Sequence, residues 1–159
     1  MDNAFERPLV PPFDPYVNEI NFLLASYVIP YIGVTGLTNA NTLLETPTTK
    51  ALLARILSMK SGQDGVIRTL LYEHRARLVD PYKESVEEFT NRVSQLRNKL
   101  GREGLKDEGL VGKVSGNILF GNNVSLQHGR TAPELLRIVY LTGNESRPGG
   151  FFLRELMVF

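Results

Sequence analysis

Leu52-Leu53-Ala54-Arg55-Ile56-Leu57-Ser58-Met59-Lys60-Ser61-Gly62-Gln63-Asp64-Gly65-Val66-Ile67-Arg68-Thr69-Leu70-Leu71 carries two apolar rows, 52–56–59–66–70 and 53–57–67–71. Both rows keep the three-to-four-residue spacing of an α-helix. The pattern runs from about Thr48 to Val79, ahead of Pro81, and predicts one helix of about thirty residues. At 1.5 Å per residue that is ~45 Å, the length of a bundle stave. Gly62 and Gly65 fall inside it, and each disfavours helix by ~1 kcal/mol relative to alanine. Two such glycines imply either close approach of another helix or a local distortion.

Upstream, Tyr16, Ile20, Leu23, Tyr27 and Tyr31 keep the same period over 15–35, with Asp14-Pro15 as the expected N-cap and first helical position. From Phe22 the other faces are apolar too (Leu24, Val28, Ile29, Ile32), which predicts a helix buried on several sides. Pro30 should kink it, and Gly33 and Gly36 should lead it into the Thr38-Asn39-Ala40-Asn41 loop. Residues 1–14, with Pro8, Pro11 and Pro12, read as an extended lead-in. Downstream, Ser85-Val86-Glu87-Glu88 is a capping box that opens a helix with Val86, Phe89, Val93, Leu96 and Leu100 on one stripe and Gly101 as its stop. Residues 101–130 are rich in glycine and asparagine and predict a long irregular connection, after which Thr131-Ala132-Pro133-Glu134 opens a short helix ending near Gly143. The fold class is therefore all-α, with two long helices, two shorter ones and a long irregular loop.

Composition narrows the function. Of 159 residues, 42% are hydrophobic and 22% charged, a globular balance. No cysteine is present, which excludes disulfides, zinc-thiolate sites and a cysteine nucleophile. Eighteen Lys and Arg against seventeen Asp and Glu give a net charge of +1, with no basic surplus for nucleic acid. The most apolar stretch, Phe22 to Val34, is short of the ~20 residues a membrane span needs and is broken by Pro30. The first residues, from Met1 to Arg7, show no secretory pattern.

Chemistry is sparse. Continuing the two apolar rows through their centre puts Lys60, Gln63 and Asp64 on the face expected to point inward, where unpaired charge is costly. The plain reading is an intrahelical Lys60–Asp64 ion pair; the functional one is a variant of a bundle-core metal site with ligands at i and i+3. His74, after Glu73, reads as a partner of the helix C-terminal dipole, and His128 as an incidental loop residue. Ser115-Gly116-Asn117 and Gly149-Gly150 lack the strand-then-helix context of a phosphate loop, and Asn123-Val124-Ser125 and Asn144-Glu145-Ser146 match the N-glycosylation pattern. No residue is assigned as catalytic, cofactor-binding or metal-ligating.

Longer words are more specific. Pro12-Phe13-Asp14-Pro15-Tyr16, Leu24-Ala25-Ser26-Tyr27-Val28-Ile29-Pro30-Tyr31-Ile32-Gly33, Ser61-Gly62-Gln63-Asp64, Leu96-Arg97-Asn98-Lys99-Leu100-Gly101, Lys106-Asp107-Glu108-Gly109-Leu110 and Thr142-Gly143-Asn144-Glu145-Ser146 occur in that order. In these words the chain resembles the plant desiccation-related proteins, which contain a ferritin-like domain. The resemblance implies a partial ferritin-like four-helix bundle over 1–152, matching the C-terminal part of such a domain, and a divergent tail over 153–159. It further implies that 15–35 and 48–79 are the third and fourth bundle helices, and that a preceding pair carries carboxylates and a Glu-x-x-His ligand pair. Where the family pattern has a glutamate, this chain has Lys60, an ammonium in place of an anionic ligand.

The expectation that follows is a non-catalytic, stress- or desiccation-associated helical protein with a degenerate metal site and no cofactor. The alternative is a ferritin-like metal-dependent oxidase or peroxide-handling protein completed by a partner chain. Two long helices cannot cover all the apolar surface assigned to them, so self-association through exposed helix faces is expected, most simply as a two-fold dimer. Neither nucleic acid nor a membrane span is expected. The resemblance implies export from the cell, whereas the chain as written begins without a leader, so localisation stays open.

Overall fold

The computed structural model describes residues 1–111, 116 and 118–152. Ser115 and Asn117 of one glycine-containing word, and the tail 153–159, lie outside the described residues. Among the described residues six α-helices follow in order: α1 (Asp2–Phe5), α2 (Glu19–Tyr27), α3 (Pro30–Ala40), α4 (Pro47–Glu73), α5 (Val86–Gly101) and α6 (Ala132–Val139), with a 3-10 turn at Asn41–Leu43. Among the described residues no strand forms, and sheet-like pairing is limited to isolated bridges at Leu78–Ser85 and Gly121–Gln127. The all-α class read from the sequence is the one observed among the described residues.

α2 and α3 run end to end as one interrupted stave, and α4 packs along both after a short turn. α5 lies across α1, α2 and α4, while α6 closes against α5 and α3. The core gathers Phe5, Leu9, Ile20, Leu24, Leu71, Val86, Phe89, Val93 and Leu110, with the Phe5 and Phe89 rings 4.6 Å apart.

Several boundaries differ from the sequence reading. The lead-in contains the single turn α1. α2 starts at Glu19 because Asn18, not Asp14, caps it: the Asn18 side chain accepts the Asn21 N–H at 2.9 Å. Asp14 instead closes its own turn by accepting the Tyr16 N–H at 2.8 Å. Pro30 breaks the stave rather than kinking it, since it lacks the N–H that would continue α2, and it becomes the first residue of α3. α3 continues through both glycines to Ala40. At Gly36 the reason is packing, for a Cβ there would lie 2.6 Å from a methyl of Leu135 on α6.

α4 is capped by Thr46, whose hydroxyl accepts the Thr49 N–H, and passes through Gly62 and Gly65 without interruption. It ends at Glu73, six residues before the expected Val79, because Arg77 and Val79 turn back to bond Val86 and Glu84 through the backbone. The 27 residues still make a stave of ~40 Å. α5 follows its expected bounds. Its capping box is half-formed: Ser85 accepts the Glu88 N–H, but the Glu88 carboxylate pairs with Arg92 at 2.6 Å. α6 ends at Val139, ahead of the expected Gly143; at its start the Glu134 carboxylate does reach back to the Thr131 N–H, at 2.7 Å.

The larger correction concerns which face of α4 is inside. The row Leu52, Ile56, Met59, Val66 and Leu70 is exposed, from 39% at Leu70 to 67% at Met59. The covered face is instead Leu53, Leu57, Asp64, Ile67, Arg68 and Leu71, which meets α2, α3 and α5. The stretch Glu19–Leu43 is long and apolar enough, by length and composition, to cross a membrane, with mean hydropathy 1.5. Half of it is buried inside the protein, with Asn21 and Thr35 among its buried residues, so it makes no clear membrane span.

Candidate functional site

Of the three polar residues expected to point inward, the structure brings only Asp64 into the interior. Lys60 and Gln63 are exposed, and the Lys60 ammonium donates to Gln63 Oε1 at 3.3 Å instead of pairing with Asp64. One turn along α4 from Asp64 is Arg68, completely buried, and around these two lies a polar centre that the sequence reading missed.

Its origin is the broken stave. At the end of α2 the carbonyls of Tyr27 and Val28 have no helical partner, and the Arg97 guanidinium on α5 donates to both from Nη1, at 3.0 and 3.1 Å. The other edge of the same guanidinium grips Asp107: Nε faces Oδ2 at 2.5 Å and Nη2 donates to Oδ1 at 3.0 Å. Both side chains are almost wholly buried, so one hydrogen bond and a close charge contact hold the pair out of water. Arg68 reaches the same centre from α4. Its Nε donates to the Ile118 carbonyl at 2.6 Å, Nη1 to the Tyr27 hydroxyl at 3.1 Å and Nη2 to the Glu108 carbonyl at 3.1 Å. The Tyr27 hydroxyl also meets Ser94 Oγ at 2.8 Å, and the Tyr31 hydroxyl is tied to the Lys106 carbonyl and to Gln127. Arg97 lies 4.7 Å from the Tyr27 ring centroid and Arg68 5.5 Å, both within cation–π range.

The electrostatics follow from burial. Desolvation raises Asp64 from its ordinary 3.8 to about 6, against the pull of Arg68 and Arg97, and its Oδ1 has no hydrogen-bond partner. Burial likewise pushes the Tyr31 phenol well up, with Asp107 adding to it, so Tyr31 stays protonated. For Arg97, burial disfavours the charge, but Asp107 more than compensates and its pKa is raised.

A second polar group sits behind the first. Glu134, fully buried, takes the Lys106 ammonium at 2.8 Å, and Arg130 donates to Asn98 at 3.1 Å. Salt-bridge and hydrogen-bond partners outweigh burial at Glu134, whose pKa is lowered. Between the N-terminal segment and α5 lies an apolar cavity of about 460 Å³ lined by Phe13, Ala25, Val28, Val93, Leu96 and Ile138. Arg97 also borders it, with its donors already engaged by Asp107 and the α2 carbonyls.

The remaining candidates stay apart. His74 is the C-cap of α4. His128 stacks on Phe120 at 5.0 Å, and burial followed by Lys106 and Arg130 lowers its pKa. Asn123 and Asn144 are both exposed.

A ferritin-like fold raises the question of a metal. Among the described residues no three His, Cys, Asp or Glu converge as a ligand group. The buried carboxylates are spoken for: Asp107 by Arg97 and Glu134 by Lys106 and Thr131. Asp64 has a spare oxygen, but its nearest charges are guanidinium groups, which repel a cation. Among the described residues, the donor set does not fit a metal ion.

Comparison with known proteins agrees with the architecture. A family model described as a ferritin-like domain matches residues 2–73, from α1 to the end of α4. The chain is 47% identical to the desiccation-related protein PCC13-62 of Craterostigma plantagineum, over 95% of this chain and 51% of that protein. It is 46% identical to the ferritin-like catalase Nec2 of Nesocodon mauritianus, over 96% of this chain and 51% of that protein. The chain thus spans about half the length of the curated relatives it matches. No solved structure matches it. This chain is a relative of the ferritin-like, desiccation-related proteins.

Two signals in the sequence could have found the buried centre. Asp64 and Arg68, and likewise Tyr27 and Tyr31, stand four apart on helices, and Arg97 and Asp107 fall inside two of the family words.

Proposed function

We propose that this chain is a non-catalytic, desiccation-associated ferritin-like protein whose metal site is degenerate. One observation carries the reading: of the polar residues at the middle of α4 only Asp64 is inside, with the guanidiniums of Arg68 and Arg97 acting on it, while Lys60, where the resemblance puts a glutamate, is exposed and bonded to Gln63. The buried centre supports it, since Arg97 neutralises Asp107 and the two arginines tie α2, α4 and α5 to Asp107, Glu108 and Ile118 of the connection. Such a centre orders a structure and offers no open acid–base pair. The association with desiccation rests on the 47% identity to a protein of that name.

Elemental analysis tests this. Purified after expression with iron and manganese supplied, the chain should carry well under one metal per chain; close to two per chain would refute the reading.

A second reading is favoured by the 46% identity to a ferritin-like catalase: a peroxide-handling protein or oxidase completed by a partner chain. Chelator-sensitive disproportionation of hydrogen peroxide by the metal-supplied protein would establish it, and a metal-free, inert preparation would dismiss it.

A further inference from the structure

The sequence matches the N-glycosylation pattern twice, at Asn123-Val124-Ser125 and at Asn144-Glu145-Ser146. Both asparagines are exposed, so exposure does not separate them; the bonds inside each loop do. Around Asn144 the matching residues build their own turn. Asn144 Oδ1 accepts the Ser146 N–H at 2.8 Å, and the Asn144 N–H reaches the Thr142 hydroxyl at 3.3 Å. That hydroxyl also faces the carbonyls of Asn144 and Arg147, at 3.0 and 2.9 Å. The middle residue, Glu145, pairs with Arg137 at 3.3 Å, and Arg137 donates to the carbonyl of Gly101, the last residue of α5, at 2.7 Å. The loop around Asn123 is organised differently, because its neighbour Asn122 makes the turn. Asn122 Oδ1 accepts the N–H groups of Val124 and Leu126, both at 3.0 Å. The backbone closes the same turn, with Asn122 N–H on the Leu126 carbonyl and Ser125 N–H on the Asn122 carbonyl. Among the described residues neither the Asn123 carboxamide nor the Ser125 hydroxyl has a hydrogen-bond partner.

We infer that Asn123 is an N-glycan acceptor of this chain and that Asn144 is not. In the transfer, Asn123 Nδ2 forms a bond to the anomeric carbon of a lipid pyrophosphate-linked oligosaccharide. The bond from that carbon to the pyrophosphate oxygen breaks, the lipid pyrophosphate leaves, and the amide proton passes to a base of the transferase. Attack requires the carboxamide to twist, since its nitrogen lone pair is otherwise delocalised into the carbonyl. Asn123 twists without cost to its loop, because Asn122 holds the turn. For Asn144 the same twist breaks the bond to Ser146, and Thr142 and the Glu145–Arg137 pair hold the loop against it. The hydroxyl two residues on is likewise presented by an unbound Ser125. The turn bonds in both loops join residues no more than five apart, so they form in a chain that has not finished folding.

Synthesis of the chain into glycosylation-competent microsomes behind a cleavable leader tests this, with removal of the leader as the sign of entry. The processed chain should gain one N-glycan, seen as a single mobility shift that peptide N-glycosidase reverses. Asn123→Gln and Ser125→Ala should each abolish the shift, and Asn144→Gln should leave it in place. A processed chain without a shift would overturn the proposal, as would a double shift or a shift lost in Asn144→Gln. A second readout needs no glycan. In the unglycosylated chain made in bacteria, Asn144→Gln should lower the thermal midpoint, because its turn loses an acceptor, and Asn123→Gln should leave it unchanged. Equal midpoints, or the reverse order, would refute the division of labour between the two asparagines. The metal content tested above is read separately, so either result can fail alone.

Discussion

Asp64 is a carboxyl group whose fold works against its charge. Its pKa of about 6 lies above the ordinary 3.8, so between those values the folded chain holds a proton that the unfolded chain releases. Stability therefore falls as pH rises from about 4 to about 6 and levels off above, by at most about 3 kcal/mol. Asp64→Asn should flatten that slope, measured as denaturant midpoints at pH 4.5 and pH 7, and should not weaken the protein at neutral pH. Asp107 behaves in the opposite way. Asp107→Ala would leave the Arg97 guanidinium buried without its counter-charge, and should cost about 3–5 kcal/mol by urea denaturation. Lys60 belongs with neither: in solvent and bonded to Gln63, it has no buried partner to neutralise.

The helices and their junctions show two different uses of glycine. At Gly109 a Cβ would fall 2.8 Å from the Cα of Asn91 and closer still to its side chain, so the connection packs on α5 only because nothing projects there. Gly109→Ala should destabilise by about 1–3 kcal/mol, because the obstacle is partly backbone and cannot rotate away. At Gly33, inside α3, a Cβ meets nothing within 4 Å, and Gly33→Ala should stabilise by roughly 0.5–1 kcal/mol through helix propensity alone. Thermal unfolding of the two variants side by side checks both signs. The break between α2 and α3 belongs here as well: Pro30 removes the hydrogen bond, but a distant residue, Arg97, makes the resulting helix end stable in the interior.

Across the complete fold, the helical class was legible from periodicity, and the family words located the same architecture that the family match supports. Helix starts were read well where a side chain caps its own helix, as at Ser85 and Thr131, because such bonds span three residues. They were read poorly at Asp14, where two cap-competent residues lie four apart and the choice falls to the surrounding packing. The candidate site was read least well. Lys60, Gln63 and Asp64 are close in sequence, yet only Asp64 is inside, and apart from Arg68, one turn on, the charges that act on it come from residues thirty or more positions away. Spacing along the chain defines helices, caps and the two rows of α4, since those depend on rise and rotation per residue. Which row is covered, and whether Arg97 meets Asp107 and Arg68 meets Tyr27 and Glu108 in a dry centre, depends on how α2, α5 and the long connection close over α4. Those contacts are long-range, and burial, which sets the strength of every charge in the centre, exists only once they have formed.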